Sequence, residues 1–353
     1  MSIASNFTAI SQGTWNPSEL FLKRLCTLYS VTSEKHGIPK GMWGVIQESK
    51  ADIHNALVEC DLIKLEKLLM NPAETDLYYG MDTLAKYNKP FLSTESFCNL
   101  LVNIISENLT FLSEVCGAKR FWNFESCPNR EPLEIEKVLA ELDKICKIRL
   151  QFPNPFPREF GLVTSRGIMG HRVPTSIYHA LKTRELISLT GAKIVEIGAG
   201  VGRTAYYSYE MGFKNYTIVD LPMSLVGQAC FLAATLGDDA IWFDGENFSA
   251  SQNKIRLYCP HTFFFLEENY DVALNIDSIT EMPLEQGKEY FAYLADHSSI
   301  FYAMNHELNP HRTLDIAKLA KIPLLPIRFA SVFRRGYVEE LYFFKPIANP
   351  VTK

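Results

Sequence analysis

The stretch Lys193-Ile-Val-Glu-Ile-Gly-Ala-Gly-Val-Gly202 decides the fold of this 353-residue chain. Its apolar run ends in glycines at alternate positions, and an acid, Glu196, stands just before the first of them. A second apolar run, Tyr216–Val219, follows and ends in Asp220. A strand, a glycine turn, a helix and a second strand that ends in an acid make up the first half of a nucleotide-binding α/β unit.

The spacing of the glycines separates two classes of ligand. Glycine lets the backbone turn tightly and approach a ligand that any Cβ atom would block, and the acid can accept two hydrogen bonds from ribose hydroxyls. A dinucleotide fingerprint reads G-x-G-x-x-G. Here the glycines are Gly198, Gly200 and Gly202, and Arg203 occupies the third position of that fingerprint. The pattern therefore does not favour a pyrophosphate site.

The pattern Glu-x-Gly-x-Gly-x-Gly instead resembles motif I of the class I S-adenosylmethionine-dependent methyltransferases. In that family the glycine loop passes under the amino-acid end of the cofactor, and the acid after the second strand holds the ribose. A glycine turn without a ligand is the alternative. The positions of Glu196 and Asp220 disfavour it, because both acids fall where the cofactor would need them.

Several segments together resemble a narrower group, the putative sugar O-methyltransferases. They are Asn71–Asp82, Val195–Gly202, Ile218–Pro222, Asn275–Pro283 and Phe301–Glu307. The first resembles a family segment that ends in aromatic-Gly-Phe-Asp, with Met81 in place of the phenylalanine. The resemblance spans about residues 60–345 and implies a sugar or glycoside as the small-molecule methyl acceptor.

The same resemblance implies a cofactor site for S-adenosyl-L-methionine, with S-adenosyl-L-homocysteine as its product. The residues at its methionine end would be Glu196, Gly198, Gly200 and Gly202. Asp220 would hold the ribose, Leu221 would pack on the adenine, and Asp277 would lie below the reacting sulfonium. The residue that contacts the adenine edge stays open between two positions, because either Ile241–Phe243 (then Asp244) or Ile255–Tyr258 (then Cys259) can be the third strand.

Polar residues at two further strand ends are candidates for the chemistry. A hydroxyl acceptor is a very weak acid and needs a base or a metal ion. We take His306 as the first candidate base, because neutral imidazole titrates near pH 7, with Asp277 and Glu307 beside it. His297 and His171 are weaker candidates. Asp277 with Glu281 or Glu307 could instead hold Mg²⁺ through oxygen ligands, and each of these residues could also be an ordinary turn residue.

Hydrophobic periodicity divides the chain into three parts. Residues 1–150 read as a helical domain, 151–173 as a proline-rich linker and loop, and 174–353 as an α/β domain with a doubly wound, mostly parallel, seven-stranded sheet that closes in a hairpin. The helical domain would cover the cleft, shape the acceptor pocket or form a homodimer contact. Its helices are predicted at Ser18–Ser33, Ile46–Leu69, Ser93–Val115 and Pro132–Leu150.

Composition excludes several classes of protein. The chain is 47% apolar and 21% charged, with a formal net charge of −5, and no basic block suggests nucleic acid or an anionic membrane as a partner. Its eight cysteines include no C-x-x-C pair, so they do not indicate a metal site. No signal peptide or 18-residue apolar stretch is evident, and we expect a cytoplasmic protein with reduced thiols.

Three functions are compared on these grounds. The leading one is an S-adenosylmethionine-dependent O-methyltransferase of EC 2.1.1 type that acts on a sugar-like hydroxyl by in-line displacement. A nicotinamide- or flavin-dependent oxidoreductase is the second, and the glycine spacing argues against it. The third is a catalytically silent protein of the same fold whose helical domain binds a partner. The polar ends of the fourth and fifth strands disfavour this third function.

Overall fold

A computed structural model describes residues 8–122, 125–126, 133–187 and 191–345. Its N-terminal part begins with strand β1 (Thr8–Gln12) and continues as helices: α1 (Glu19–His36), α2 (Met42–Glu48), α3 (Ala51–Val58), α4 (Leu62–Met70), α5 (Lys89–Leu92), α6 (Glu95–Val115) and α7 (Ile135–Cys146). The predicted helices at Ser18–Ser33 and Ser93–Val115 are confirmed as α1 and α6. Pro132, the predicted start of the last helix, lies outside the described residues.

The prediction of one helix over Ile46–Leu69 is wrong, because the segment divides into α2, α3 and α4. Two local features cause the last break. Cys60 has a left-handed backbone conformation with φ +49°, which an α-helix cannot contain. Asp61 then caps α4 by accepting a hydrogen bond from the amide of Lys64 at 3.0 Å.

The prediction of a linker and loop over 151–173 is also wrong for part of that segment, which forms two strands. Strands β2 (Pro157–Thr164) and β3 (Gly167–Met169) form a three-stranded antiparallel sheet with β1, in the order β1-β2-β3. β1 pairs with β2 across a long sequence separation, with Thr8 opposite Leu162. Periodicity within either segment does not reveal such a partner. Pro157 stands at the first position of its strand, where a missing N–H is tolerated.

The C-terminal part alternates strands and helices, as predicted. Its strands are β4 (Lys193–Ile197), β5 (Asn215–Val219), β6 (Ile241–Phe243), β7 (Ile255–Tyr258), β8 (Tyr270–Ile276), β9 (Ser298–His306), β10 (Ile327–Ala330) and β11 (Tyr337–Phe343). Its helices are α8 (Val173–Leu186), α9 (Arg203–Glu210), α10 (Pro222–Leu236), α11 (Pro260–Phe263), α12 (Leu284–His297) and α13 (Thr313–Leu319).

These strands form one sheet in the order β10-β11-β9-β8-β4-β5-β7-β6. Strands β4 to β9 run parallel, and β11 pairs antiparallel with both β9 and β10. This confirms the doubly wound, mostly parallel sheet with a closing hairpin. The sheet has eight strands instead of seven, because β6 adds a short edge strand beside β7. The order reverses between β4 and β8, and ligands bind at such a switch point.

Apolar side chains cover both faces of the sheet. Ile194 and Val272 face one core, which includes the apolar sides of α1, α8, α9 and α10. Val195 and Phe301 face the other core, under α12 and α13. The N-terminal part docks on the first of these layers, where Arg24 of α1 pairs with Glu246 at 2.6 Å. The carboxyl ends of β4, β5 and β8 therefore open towards the helical part.

Candidate active site

A cavity of about 320 Å³ lies at the carboxyl ends of β4, β5 and β8, at the switch point of the sheet. The α/β part contributes the glycine loop after β4, Asp220 and Leu221 after β5, and Asp277 after β8. The helical part contributes Trp43 from α2 and residues of the connection between α1 and α2. Both parts of the chain therefore build the site.

The three glycines of the loop after β4 have different surroundings. All three have positive φ angles, of +73° at Gly198, +56° at Gly200 and +94° at Gly202. A Cβ atom on Gly198 would overlap the side chain of Ser278, whereas a Cβ on Gly200 would meet no atom within 4 Å. Gly202 precedes α9, and a Cβ atom built on it would lie 3.5 Å from the side chain of Leu232 in α10. Gly198 and Gly200 line the cavity, and Gly202 packs the loop against a helix.

Asp220 lies beside Gly200 on the cavity wall. One oxygen of its carboxylate accepts from the amide of Leu221 at 2.8 Å, and the other accepts from Nε2 of Gln228 at 2.6 Å. Gln228 also donates to the carbonyl of Gly200 at 3.0 Å and so joins the acid to the loop. Burial raises the pKa of Asp220 to about 6, against the effect of these hydrogen bonds. The role of Gln228 was not predicted from the sequence. Its one distinguishing feature there is that it is a long polar side chain in the largely apolar α10.

Glu196 is buried behind the loop, where it lines a second cavity of about 70 Å³. The hydroxyl of Tyr216 donates to its carboxylate at 2.8 Å. Burial raises the pKa of Glu196 to about 7, with a further contribution from the charge of Asp220. The second cavity adjoins the first across Gly198, Gly200 and Arg172, which line both.

Asp277 has φ +62° and stands at the other end of the cavity. Its Oδ2 accepts hydrogen bonds from Arg334 at 2.7 Å and from the Tyr337 hydroxyl at 2.9 Å. Its Oδ1 is buried without a hydrogen-bond partner among the described residues, and so is Nε of Arg172 nearby. Buried polar atoms are normally paired, so two unpaired atoms on one wall indicate a polar ligand. Arg172 is a second residue that sequence reasoning missed.

His306 and Glu307 do not line either cavity in the described part of the chain. The His306 ring packs on Tyr337, with ring centroids 5.0 Å apart, and the hydroxyl of that tyrosine donates to Asp277. Glu307 pairs with Arg328 at 2.6 Å. His297 stacks on Tyr293, with the centroids 4.0 Å apart. The base role of His306 stays a prediction, now with an indirect path to the cavity.

The surroundings of Asp277 do not fit the Mg²⁺ alternative. Arg334 forms a salt bridge with Asp277, and Arg172 interacts electrostatically with the same carboxylate. Glu307 forms its salt bridge with Arg328. A divalent cation there would meet the positive charges of Arg172 and Arg334 beside the two carboxylates of Asp277 and Glu281, which is fewer oxygen ligands than such an ion needs. Among the residues that the structure describes, no group of three or more His, Cys, Asp or Glu side chains could hold a metal ion.

The sheet order separates the two candidates for the third strand. β7 lies directly beside β5, and the amide of Asp220 donates to the carbonyl of Tyr258 at 3.2 Å. β6 lies one strand further out. Cys259 and Pro260 therefore follow the strand next to Asp220, and Pro260 lines the cavity. Asp244 follows the edge strand instead.

An ion pair between Asp82 and Arg203 joins the two parts of the chain beside the cavity. Asp82 ends the Gly80-Met81-Asp82 element, whose first two residues line the cavity, and Arg203 opens α9 directly after the glycine loop. Burial would raise the pKa of Asp82, but the positive charge of Arg203, with smaller contributions from His171, Arg172 and the amide of Leu84, outweighs this effect and holds that pKa well below its ordinary value. Asp82 and Arg203 thus fix the helical part against the loop.

We expect Asp82→Asn to lower the free energy of unfolding by about 3–5 kcal/mol, because it leaves a buried guanidinium without its partner. Urea denaturation followed by circular dichroism measures this change. Glu19→Gln, which removes an exposed i,i+4 pair with Lys23, serves as the control and should leave stability unchanged. Equal effects of the two substitutions would contradict the structural role of the Asp82–Arg203 pair.

No protein-family model matches this chain, and no curated protein sequence matches it. Solved structures do match. An O-methyltransferase family protein from Burkholderia thailandensis has 12% identity over 48% of this chain and 56% of its own, with a TM-score of 0.35. The CcbJ methyltransferase from Streptomyces caelestis has 14% identity, coverage of 48% and 89%, and a TM-score of 0.35.

A third match is magnesium protoporphyrin IX methyltransferase from Synechocystis PCC 6803 with bound SAM, with 12% identity over 66% of this chain and 96% of its own, and a TM-score of 0.33. The chain spans just over half the length of the Burkholderia protein. Because the sequence identities and TM-scores of these matches are low, the fold is assigned from the strand order of the sheet and not from the matches. In the described residues, no helix has both the length and the apolar character that crossing a membrane requires.

Proposed function

We propose that this protein is an S-adenosylmethionine-dependent methyltransferase that acts on a hydroxyl of a small molecule. One observation carries the proposal: a single cavity at the switch point is lined by the half-buried acid Asp220, by the open backbone of Gly200, and by Arg172 and Asp277, each with an unpaired polar atom among the described residues. An elongated ligand with a diol at one end and charged groups at the other fits this arrangement of donors and acceptors.

Individual residues have distinct parts in this proposal. Asp220 accepts hydrogen bonds from the ribose hydroxyls, while Leu221 and Pro260 provide apolar contact for the adenine. Gly198 and Gly200 let the backbone pass close under the ligand. Glu196 lies deeper, at the cavity behind the loop. Gly202 has a packing role, which differs from the cofactor contact that the family resemblance implies.

When bound, S-adenosylmethionine supplies a methyl group on a positively charged sulfur, which an acceptor oxygen displaces in line. The work of the protein is then to hold the acceptor close to the methyl carbon and to remove its proton. Asp277, hydrogen-bonded to Arg334 and Tyr337, provides a carboxylate at this end of the cavity. The wall from the helical part, with Trp43 and Met81, covers the site from water.

We further propose a sugar or sugar-like acceptor, on the strength of the segment resemblance and the mixed polar and apolar wall of the cavity. Radiolabelled S-adenosylmethionine incubated with monosaccharides, glycosides, phenols and carboxylic acids tests this proposal. Label transfer to sugar hydroxyls is the expected result. Transfer confined to phenols or carboxylates would contradict the sugar assignment and leave the methyltransferase activity standing.

We expect EDTA to leave turnover unchanged, because the residues around Asp277 do not form a divalent-cation site. The measurement compares initial rates of label transfer with and without the chelator, at constant ionic strength. A matched sample with excess Mg²⁺ controls for effects of the chelator itself. Loss of activity that Mg²⁺ restores would contradict this prediction and return Asp277 to a metal-binding role.

Two further expectations remain proposals. A homodimer contact through the helical part is tested by light scattering during size-exclusion chromatography, and a cytoplasmic location by fractionation of cells that express the tagged chain. A nicotinamide-dependent oxidoreductase is the competing function. Arg203, which replaces the third glycine of the dinucleotide fingerprint, is engaged with Asp82, and no observation on the cavity favours a second nucleotide.

A further inference from the structure

Glu281 occupies a fixed position on the cavity wall next to the glycine loop. It ends a single helical turn, Ile279–Glu281, that follows β8. The side chain of Asn275 holds this turn by accepting from the amide of Ile279 at 3.1 Å, and Asn309 donates to Thr280 at 2.8 Å. A side chain on so well-anchored a turn presents its carboxylate to the cavity from a rigid support.

The position of Glu281 relative to the sheet places it at the end of the cavity where the acceptor would bind. β8 is the neighbour of β4 on the side away from β5, and the Ser278 hydroxyl, three residues before Glu281, donates to the carbonyl of Ile197 at the loop at 2.9 Å. A cofactor with its ribose at Asp220 and its methionine part across the glycine loop therefore has its methionine end directed towards Glu281.

Four other titratable groups on this cavity, Asp277, His36, Lys40 and Arg172, are less suited to accept a proton. Oδ2 of Asp277 already accepts hydrogen bonds from Arg334 and Tyr337. His36 lies near His261, which follows β7, and three strand spacings of about 4.8 Å separate the ends of β7 and β8, or roughly 14 Å. Lys40 and Arg172 are cations.

Resting on the proposed function, we propose that Glu281 binds the acceptor hydroxyl and receives its proton. As the acceptor oxygen forms its bond to the methyl carbon, the carbon–sulfur bond breaks and its electron pair stays on sulfur. The hydroxyl proton passes to the Glu281 carboxylate, which leaves it to solvent after the products depart. Charge and atoms balance without a further reactant.

The electrostatic surroundings agree with this role. Burial, followed by the negative charge of Asp277, raises the pKa of Glu281 to about 7, while hydrogen bonding from the Trp43 side chain and the charges of Arg172 and Arg334 oppose the rise. A base with a pKa near the working pH is the most effective in general-base catalysis. Trp43 comes from α2, so the helical part also contributes to the electrostatic surroundings of this carboxylate.

An ionised Glu281 should stabilise a positive charge beside it, whereas a protonated Glu281 should not. Comparing the binding of S-adenosylmethionine and S-adenosylhomocysteine tests this without a methyl acceptor. S-adenosylmethionine has a positive sulfur and S-adenosylhomocysteine a neutral one. Isothermal titration calorimetry of both, from pH 5.5 to 8.5, should show the preference for S-adenosylmethionine rising about tenfold in the wild type. In Glu281→Gln the rise should fall below about threefold; the remainder comes from Asp220, which also titrates in this range.

Glu285→Gln, on the exposed first turn of α12, is the matched control and should behave like the wild type. An unchanged rise in Glu281→Gln would overturn the proposal, because Glu281 would then not face the methyl position. Wild-type protein that binds neither compound would instead refute the proposed function.

With an acceptor from the label-transfer screen, Glu281→Gln should lower kcat about 10²–10⁴-fold with little change in KM. Glu281→Asp should recover part of this loss and shift the pH profile of kcat. Unchanged kcat in Glu281→Gln would overturn the proposed base even if the binding result held.

Discussion

Asp220→Asn should weaken the binding of S-adenosylmethionine about 30–100-fold, because the ribose loses a charged hydrogen-bond acceptor worth about 2–3 kcal/mol. The fold should tolerate the change. The substitution conserves shape, and Oε1 of Gln228 is buried without a partner, so a rotated Gln228 amide can accept from the new amide. Isothermal titration calorimetry gives the affinity, and thermal unfolding without ligand gives the stability.

The same carboxylate predicts a pH dependence of cofactor affinity. Burial raises the pKa of Asp220 to about 6, and the ionised form is the one that accepts both ribose hydrogen bonds. Wild-type affinity should therefore fall as the pH drops below about 6, and Asp220→Asn should remove this decline. Asp239→Asn, at an exposed position on the turn after α10, is the control. A wild-type decline that persists in Asp220→Asn would contradict the assigned role.

Gly200→Ala should abolish detectable cofactor binding while the protein stays folded. Gly200 has φ +56°, and a Cβ there meets no protein atom within 4 Å, so the cost to the fold is the left-handed backbone alone, about 1–2 kcal/mol. The added methyl would fill the space through which the backbone approaches the ligand. We expect affinity to fall at least about 100-fold, measured by calorimetry on protein whose circular dichroism matches that of the wild type.

Substitutions at two other glycines distinguish a loss of affinity caused by lower stability from one caused by direct obstruction of the ligand. A Cβ on Gly198 would overlap Ser278, so Gly198→Ala should lower stability by about 3 kcal/mol or more through overpacking and backbone strain together. Gly212, with φ +100° and open surroundings, lies at the end of α9. Gly212→Ala should lose stability and keep its affinity. Normal binding by Gly200→Ala would contradict the placement of the ligand over the loop.

Local patterns in the sequence were sufficient to predict the α/β part of the fold. The alternation of apolar runs and helical stripes from Lys193 to Phe343 corresponds to strands and helices that the structure contains. Each element there pairs with or packs on a neighbour whose own pattern is strong. β1, β2 and β3 were missed because their pairing joins residues near both ends of the helical part, and no pattern within a single segment records such a partner.

The candidate site was predicted in part, for a related reason. Asp220, Gly198, Gly200 and Asp277 follow directly from strand ends, and all four line the cavity. The direction in which a residue at a strand end points was not predictable. His306 ends β9, but its ring turns to Tyr337 on the antiparallel neighbour β11. Arg172 directly precedes α8 and Trp43 lies in α2, and nothing in the local sequence marks either as part of a cavity wall.

The central claim is that the cavity over the glycine loop binds S-adenosylmethionine. Calorimetric titration of the wild-type protein with S-adenosylmethionine, S-adenosylhomocysteine and NAD tests it most directly. We predict one site per chain for the first two compounds, with micromolar or tighter affinity, and no detectable heat with NAD. Binding of NAD without binding of either methionine-derived compound would contradict the claim.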